Sequence, residues 1–196
     1  MLTKIKYLTA GESHGKGLLG IINGIPAGLI IDEKYIGEQL SRRQKGHGRG
    51  RRMKIENDKA EIYSGVRLGK TIGSPIGLII KNIDYKNWSS IMSIEESNKE
   101  LKQITLPRPG HADLAGVEKF QFSDIRNVIE RSSARETAMR VAIGSICRKL
   151  LKEFDIQIGS RVIQIHDILD KTTINLKEGA ESISIKADQS DVRCLD

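Results

Sequence analysis

The chain has 196 residues, and its 32 lysines and arginines against 25 aspartates and glutamates give a formal net charge of +7. Hydrophobic residues make up 38% of the sequence and aromatic residues only 4%. This composition excludes a disordered chain and predicts a core of Ile, Leu, Val and Ala. The sequence has no apolar run of about 18 residues, no signal-peptide pattern and only two cysteines, so it predicts no membrane partner and no disulfide scaffold. We expect a single cytoplasmic unit covering residues 1–196.

The first half of the chain predicts strands joined by glycine-rich loops. Alternating or continuous apolar residues predict strands over 4–9, 18–25, 60–66 and 76–83. Asp32 is a suitable N-cap for a helix that continues to about residue 43 and buries Ile36 and Leu40. A helical turn is predicted around 93–101.

The second half predicts one long helix followed by two strands. Two prolines and a glycine exclude a regular element over 106–113. A helix is predicted from about 133 to 154, because an apolar stripe recurs at spacings of three and four and Ser133 with Glu136 matches a capping box. The stripe consists of Met139, Ile143, Ile146, Leu150 and Phe154. Strands are predicted over 156–165 and 183–187.

The basic excess is concentrated in residues 42–54, which hold seven Lys or Arg and no acid. Three glycines alternate within 46–50 and predict a flexible loop that can surround an anion with N–H groups and guanidinium forks. The loop has three interpretations: a solvated charge run, a nucleic-acid-binding module, or a site for a small polyanion. Nucleic acid is disfavoured because no aromatic residue for base stacking lies between Tyr35 and Tyr63.

Residues 11–15 read Gly-Glu-Ser-His-Gly and match the Gly-x-Ser-x-Gly motif of serine hydrolases. That motif requires a helix after the turn, whereas residues 18–22 predict a strand. Nucleophilic catalysis by Ser13 is therefore a minor alternative. The density of glycines indicates a close approach to this backbone.

Two histidines, His14 and His111, lie in tight glycine-rich loops and are candidates for proton transfer. The alternative is that each is an ordinary surface or hydrogen-bonded residue. Residues 131–135 read Arg-Ser-Ser-Ala-Arg at the predicted helix start, where free N–H groups and two cations favour an anion. With Arg108 close to His111, three segments indicate a phosphorylated small molecule rather than nucleic acid.

The motifs occur together in one order that resembles the chorismate synthase family. They comprise Gly-Glu-Ser-His-Gly at 11–15, the basic segment 42–56, Ser-Gly-Val at 64–66, Arg-Pro-Gly-His-Ala-Asp at 108–113 and Arg-Ser-Ser-Ala-Arg-Glu-Thr-Ala-Met-Arg-Val-Ala at 131–142. The likeness is nearly continuous from Tyr7 to about Phe154.

The resemblance implies an α+β fold, a β-α-β sandwich with helices packed between antiparallel sheets, in a homotetramer. It implies a lyase that converts 5-enolpyruvylshikimate 3-phosphate to chorismate and phosphate with reduced FMN, with NADPH as a candidate flavin reductant. Carried over by motif, His14 manages protonation or charge at the flavin, and His111 is the general acid toward the leaving phosphate. The implied ligand contacts are Arg131, Ser132 and Ser133 for FMN, Arg43 and Arg49 for NADP or substrate phosphate, and Arg49, Arg52, Arg108 and Arg135 for substrate.

Family members are usually much longer, so the chain is expected to hold about one half of the fold. Further FMN contacts and an aspartate base are expected in the other half. Exposed apolar surface follows from this expectation. An inactive fragment is the alternative to an active lyase.

Overall fold

The computed structural model describes residues 4–48, 57–96 and 101–196. Its strands are β1 (Lys6–Gly11), β2 (Gly17–Asn23), β3 (Ala60–Ile62), β4 (Val66–Arg67), β5 (Lys70–Thr71), β6 (Ile76–Lys81), β7 (Gln164–Ile165) and β8 (Ile168–Leu169). Its α-helices are α1 (Glu33–Gln44), α2 (Asp113–Phe120), α3 (Arg126–Arg131), α4 (Thr137–Lys152) and α5 (Ala180–Ala187). Short 3-10 turns cover Ile83–Asn87, Ala134–Glu136 and Leu176–Glu178.

The central element is an antiparallel sheet with the strand order β1-β2-β6-β3. Successive side chains of β2 point to opposite faces of the sheet. Leu18 and Ile22 are buried on the inner face, whereas Leu19 and Ile21 are 52% and 51% exposed on the outer face. Leu8 pairs with Ile21 in register and is exposed on the same outer face. The exposed apolar surface expected from the sequence is therefore present on this sheet.

Helices α1 and α4 cover the inner face of the sheet and close the core. Ile36 and Leu40 of α1 and Met139 and Ile146 of α4 are fully buried there. A Cβ added at Gly20 would lie 2.4 Å from the Met139 sulfur, so the glycine allows α4 to approach β2 closely. The α+β class is confirmed: α1 and α4 pack on one face of the four-stranded antiparallel sheet.

The starts of the two core helices follow different local rules. Asp32 caps α1 as predicted, because its carboxylate accepts the backbone N–H of Tyr35 at 2.7 Å. Ser133 is an N-cap as predicted, although of the 3-10 turn Ala134–Glu136 that leads into α4, and the Glu136 half of the predicted capping box is wrong. Ser133 accepts from the backbone N–H of Arg135 at 3.2 Å, while the Glu136 carboxylate binds other side chains. At the far end, Phe154 lies beyond α4 and is 66% exposed rather than part of the buried stripe.

Several elements in the second half differ from the sequence prediction. The strand predicted over 156–165 is confined to its last two residues, which form the β7–β8 hairpin. The strand predicted over 183–187 is wrong, because this segment is helix α5, which buries Ser184 and Ala187. Helices α2 and α3 were not predicted. The turn predicted around 93–101 lies in part outside the described residues.

Within the described ranges, no helix combines the length and apolar character needed to cross a bilayer.

Candidate active site

One buried side-chain amide, that of Asn82, holds the glycine-rich loop between β1 and β2. Asn82, 5% exposed, donates from Nδ2 to the carbonyl oxygens of Glu12, Ser13 and Gly15 at 3.2, 3.2 and 2.8 Å. The loop therefore has a defined shape, because its carbonyl groups converge on this side chain.

The same loop is held from the other side by the last turn of α3. The Glu130 carboxylate, 2% exposed, accepts the His14 backbone N–H at 2.7 Å and lies 2.9 and 3.1 Å from His14 Nδ1. The Glu130 carbonyl oxygen also accepts the Ser13 backbone N–H at 3.1 Å. As a carboxylate only accepts, the Nδ1 proton belongs to the imidazole and Nε2 is left for another partner.

The His14 ring stacks on Trp88, which is the one tryptophan in the sequence. Their ring centroids are 3.9 Å apart with an interplanar angle of 29°. Trp88 donates from Nε1 to the Asp84 carboxylate at 2.9 Å, and the Arg126 guanidinium lies 5.2 Å from the Trp88 ring centroid. The imidazole is thus supported at its edge and at its face.

Ser13 does not have the surroundings of a hydrolase nucleophile. It is 5% exposed, and its hydroxyl donates to Ser133 Oγ at 3.0 Å. The loop leads into strand β2 rather than a helix, which the nucleophile-elbow motif requires. The contact instead joins the glycine-rich loop to the predicted FMN segment.

The predicted substrate residue Arg135 is buried, at 6% exposure. It donates from Nε to Asn82 Oδ1 at 2.8 Å and from Nη1 to the Asp58 carboxylate. Arg43 approaches the same carboxylate, with Nη1 3.6 Å from Asp58 Oδ2, and donates to the Ala134 carbonyl oxygen at 2.9 Å. A continuous polar network therefore connects the end of α1 to the glycine-rich loop.

A cleft of about 650 Å³ opens beside this loop. Its walls come mainly from α2, α3 and their connections, and its lining includes Glu12, Met92, Ala112, Phe120, Phe122, Val128, Glu130, Arg131 and Ser132. Arg131 and Ser132 belong to the predicted FMN segment. Arg131 ends α3 rather than beginning a helix, and it donates to the Gly11 carbonyl oxygen at 3.4 Å.

The predicted residues Arg108 and His111 lie at the start of α2. Asp113, which is buried, accepts from Arg108 Nε at 2.8 Å and from Nη2 at 2.9 Å. The Arg108 guanidinium lowers the pKa of the Asp113 carboxyl to about 2. His111 is exposed, and its neighbour Ala112 lines the cleft.

Only part of the predicted basic loop lies in the described residues. Residues 42–44 belong to α1, and Arg49 and Arg52 lie outside the described ranges. Arg42 is bonded to Ser184 at 2.8 Å and to the Asp188 carboxylate. A second groove, of about 470 Å³, is lined by Arg42, Arg43, Arg140, Arg148 and Arg193 among others.

The sequence analysis missed the side chains that hold the loop, namely Asn82, Trp88 and Glu130. Glu130 directly precedes the Arg-Ser-Ser motif, and Trp88 is the one tryptophan of the sequence, so both could have been chosen as candidates from the sequence. Asn82 carried none, because it follows an ordinary buried strand. Among the residues that the structure describes, no His, Cys, Asp and Glu cluster could hold a metal ion.

A family model described as chorismate synthase matches residues 5–196. The chain belongs to the chorismate synthase family. Chorismate synthase of Chlorobaculum tepidum is 53% identical over 198 residues, which cover 98% of this chain and 50% of the relative. The enzymes of that name from Pelodictyon phaeoclathratiforme and Alkaliphilus metalliredigens are 55% and 54% identical, each over 97% of this chain and over 50% and 49% of their own lengths.

A crystal structure of chorismate synthase aligns with all of this chain and 50% of its own, with a TM-score of 0.76 and 42% identity. The family resemblance and the fold class are both confirmed by these matches. The chain spans about half the length of the curated chorismate synthases that it matches.

Proposed function

We propose that residues 1–196 form the N-terminal portion of a chorismate synthase catalytic domain. The whole enzyme converts 5-enolpyruvylshikimate 3-phosphate to chorismate and phosphate by a 1,4-elimination. The observation that supports this best is the anchored pair of His14 and Glu130 beside a cleft lined by Arg131 and Ser132. This arrangement lies in a chain of the chorismate synthase family.

The cleft fits a flavin better than a compact polar ligand. Its volume of about 650 Å³ falls within the usual range for small-molecule sites. Phe120, Phe122 and Val128 provide an apolar wall, while Arg131 and Ser132 provide a cation and a hydroxyl. Phe120, Phe122 and Val128 would hold the apolar ring system of FMN, and Arg131 and Ser132 would hold its phosphate. Ser133 would support the site through its contact with Ser13. When bound, reduced FMN would supply electron density that assists departure of the substrate phosphate.

The arginines predicted to contact substrate have two different roles in this proposal. The Arg108 side chain is 43% exposed, so its guanidinium is accessible to a ligand. The bonds from Nε and Nη2 to Asp113 fix its orientation. Arg135 is enclosed by Asn82 and Asp58, and we assign it to shaping the loop. Arg49 and Arg52 lie outside the described residues and stay predicted substrate contacts. Clustered guanidinium groups stabilise the charge that develops on the leaving phosphate.

The two histidines handle protons on opposite sides of the reaction. The substrate loses one ring proton and its phosphate, so the conversion has no net redox change. His14, with Nδ1 committed to Glu130, exchanges a proton through Nε2 near the flavin site. His111, exposed before α2, donates a proton to the phosphate oxygen as the C–O bond breaks. The acceptor of the ring proton is assigned to the half of the enzyme outside this chain.

Phosphate release under anaerobic conditions tests the proposal. The chain is incubated with 5-enolpyruvylshikimate 3-phosphate and reduced FMN, beside the variants His14→Ala, His111→Ala and His166→Ala. His166 is the matched control, because it lies exposed in the β7–β8 hairpin. Wherever the parent chain releases phosphate, we expect the control to match it and the other two variants to lose about 100-fold or more. Equal release by all four proteins would contradict these roles.

A parent chain that releases no phosphate would show that residues of the full-length relatives are required. FMN binding, followed by flavin fluorescence, then tests the cleft directly. We expect the Arg131→Ala variant to bind FMN more weakly. The control is Arg161→Ala, which removes an arginine that pairs with Asp170 and does not line the cleft, and it should leave FMN binding unchanged.

The remaining implied features are NADPH as flavin reductant, a homotetramer and a cytoplasmic location. For NADPH we propose the groove that contains Arg43, which is the described one of the two arginines that the resemblance assigns to NADP. Anaerobic reduction of FMN by NADPH in the presence of the chain measures this activity. Sedimentation of the full-length enzyme tests the tetramer.

A further inference from the structure

We propose that Glu130 is a positioning residue that sets the tautomer and the orientation of His14. The effect on the tautomer follows from the geometry alone, while the effect on catalysis rests on the proposed function. In this role Glu130 does not contact a ligand and acts through the His14 imidazole.

The two carboxylate oxygens of Glu130 match two donors on one residue. They accept the His14 backbone N–H at 2.7 Å and the Nδ1–H at 2.9 and 3.1 Å. Oε2 accepts the backbone N–H and also lies 3.1 Å from Nδ1, while Oε1 lies 2.9 Å from Nδ1. A glutamine with its oxygen on the backbone N–H places its NH2 group against Nδ1 in the position of Oε1. That NH2 group is a donor and favours an Nδ1 without a proton, whereas the carboxylate only accepts and favours the Nδ1–H tautomer.

Burial makes this contact consequential for the loop. The Glu130 side chain is 2% exposed, and its nearest cationic partner is Arg126, with Nη1 3.7 Å from Oε1. A buried carboxylate that loses its donors is strongly destabilised. The carboxylate and the loop therefore hold each other in place.

Trp88 removes the remaining freedom of the imidazole. Stacking at 3.9 Å fixes the ring plane, and the bond from Trp88 Nε1 to Asp84 fixes the indole in turn. Within residues 4–48, 57–96 and 101–196, no hydrogen bond is made by His14 Nε2. Edge and face contacts thus leave Nε2 as the nitrogen that exchanges a proton with a ligand.

The position of Glu130 links this imidazole to the cleft. Glu130 lines the cleft itself, and the next two residues carry the guanidinium and hydroxyl assigned to FMN. The carboxylate that holds His14 and the residues assigned to FMN are therefore consecutive in the chain at the end of α3.

Nitrogen spectroscopy of the imidazoles tests the proposal without substrate or flavin. The chain has four histidines, so 15N-histidine labelling gives four ring systems, and a His14→Asn variant assigns the one of interest. At a pH where the ring is neutral, we expect His14 in the Nδ1–H tautomer, opposite to the tautomer that free histidine prefers. An Nε2–H tautomer in the parent chain would overturn the proposal, whatever the variants do.

Carboxylate-to-amide variants supply the comparison. Glu130→Gln is expected to move His14 toward the Nε2–H tautomer and to change Trp88 emission, with retention of fold checked by circular dichroism. Glu136→Gln is the matched control, because Glu136 also pairs with an arginine four residues away but contacts no histidine. A Nδ1–H tautomer that persists in both variants would overturn the role of Glu130.

Activity separates this proposal from the proposed function. Where phosphate release is measurable, Glu130→Gln should lower kcat by about 100-fold with KM changed by less than about threefold, because orientation matters most in the transition state. Glu130→Asp, which keeps the charge, should recover part of kcat. An unchanged kcat would overturn the positioning role. Absence of phosphate release with the expected tautomer would instead show that catalysis requires residues of the full-length relatives, and it would leave the positioning role of Glu130 intact.

Discussion

Replacement of Asn82 by alanine tests whether one buried amide holds the glycine-rich loop. The amide donates to three loop carbonyl groups, at 2.8 to 3.2 Å, and accepts from Arg135 Nε at 2.8 Å. Its two N–H groups and one oxygen amount to three fully used hydrogen-bonding functions. At about 1 to 1.5 kcal/mol each, the expected loss is about 3 to 5 kcal/mol. That loss is a large fraction of the total stability of an ordinary domain.

The assay is urea unfolding at neutral pH, followed in parallel by far-UV circular dichroism and by emission of Trp88. Because Trp88 stacks on His14, its emission reports on the loop that Asn82 holds. The Asn82→Ala variant should lower the unfolding midpoint with an unchanged m-value, which identifies a loss of stability rather than a change in the denatured state.

The matched control is Asn87→Ala. Asn87 is exposed and, among the described residues, donates to Asp84 at 2.8 Å, so its replacement should cost about 0.5 kcal/mol or less. If Asn82→Ala and Asn87→Ala shift the midpoint equally, the amide does not hold the loop and the reasoning is refuted.

Three further predictions concern the core, a turn and the acid limb of stability. Ile146→Ala should lower the free energy of unfolding in urea by about 2 to 5 kcal/mol, because the Ile146 side chain is fully buried. The control Phe154→Ala should cost about 0.5 kcal/mol or less, because Phe154 is 66% exposed. Similar losses in the two variants would contradict the assignment of Ile146 to the core. Alanine at Gly65, where φ is +83° and a Cβ would lie 2.6 Å from a backbone carbonyl oxygen, should cost about 2 to 4 kcal/mol in the same assay. The Asp113 carboxyl, with its pKa lowered to about 2 by Arg108, contributes stability that is present above about pH 4 and lost as the pH falls toward 2. Between pH 5 and pH 2 the urea midpoint should therefore decline less steeply in Asp113→Asn than in the parent chain. Parallel plots of midpoint against pH for the two proteins would contradict the stabilising ion pair between Arg108 and Asp113.

The local sequence was sufficient wherever short-range chemistry decides the structure. Helix α1 begins at the Asp32 cap because the capping oxygen and its N–H partner are three residues apart. The apolar stripe of α4 also predicted its buried face, as spacings of three and four return side chains to one side. In the site, the glycine-rich loop and the Arg-Ser-Ser segment were visible as motifs, and the resemblance named the family.

Helix α5 shows where local pattern and tertiary contact disagree. Ile183 and Ile185 alternate with serines and favour a strand on sequence grounds. In the structure Ser184 is buried and bonds the Ser160 backbone and Arg42, while Ile185 is 61% exposed. The helix is stabilised by partners 24 and 142 residues away along the chain, which a local window cannot contain.

The sequence by itself determined the family, the elements of the core and the two loop histidines. Only the tertiary structure decided that Arg135 is enclosed and that Glu130 and Trp88 fix the His14 ring. The contact between His14 and Glu130 spans 116 residues. Burial and the pairing of one donor with one acceptor arise only when the chain folds back on itself, so a side chain's partner depends on packing rather than on its neighbours in sequence.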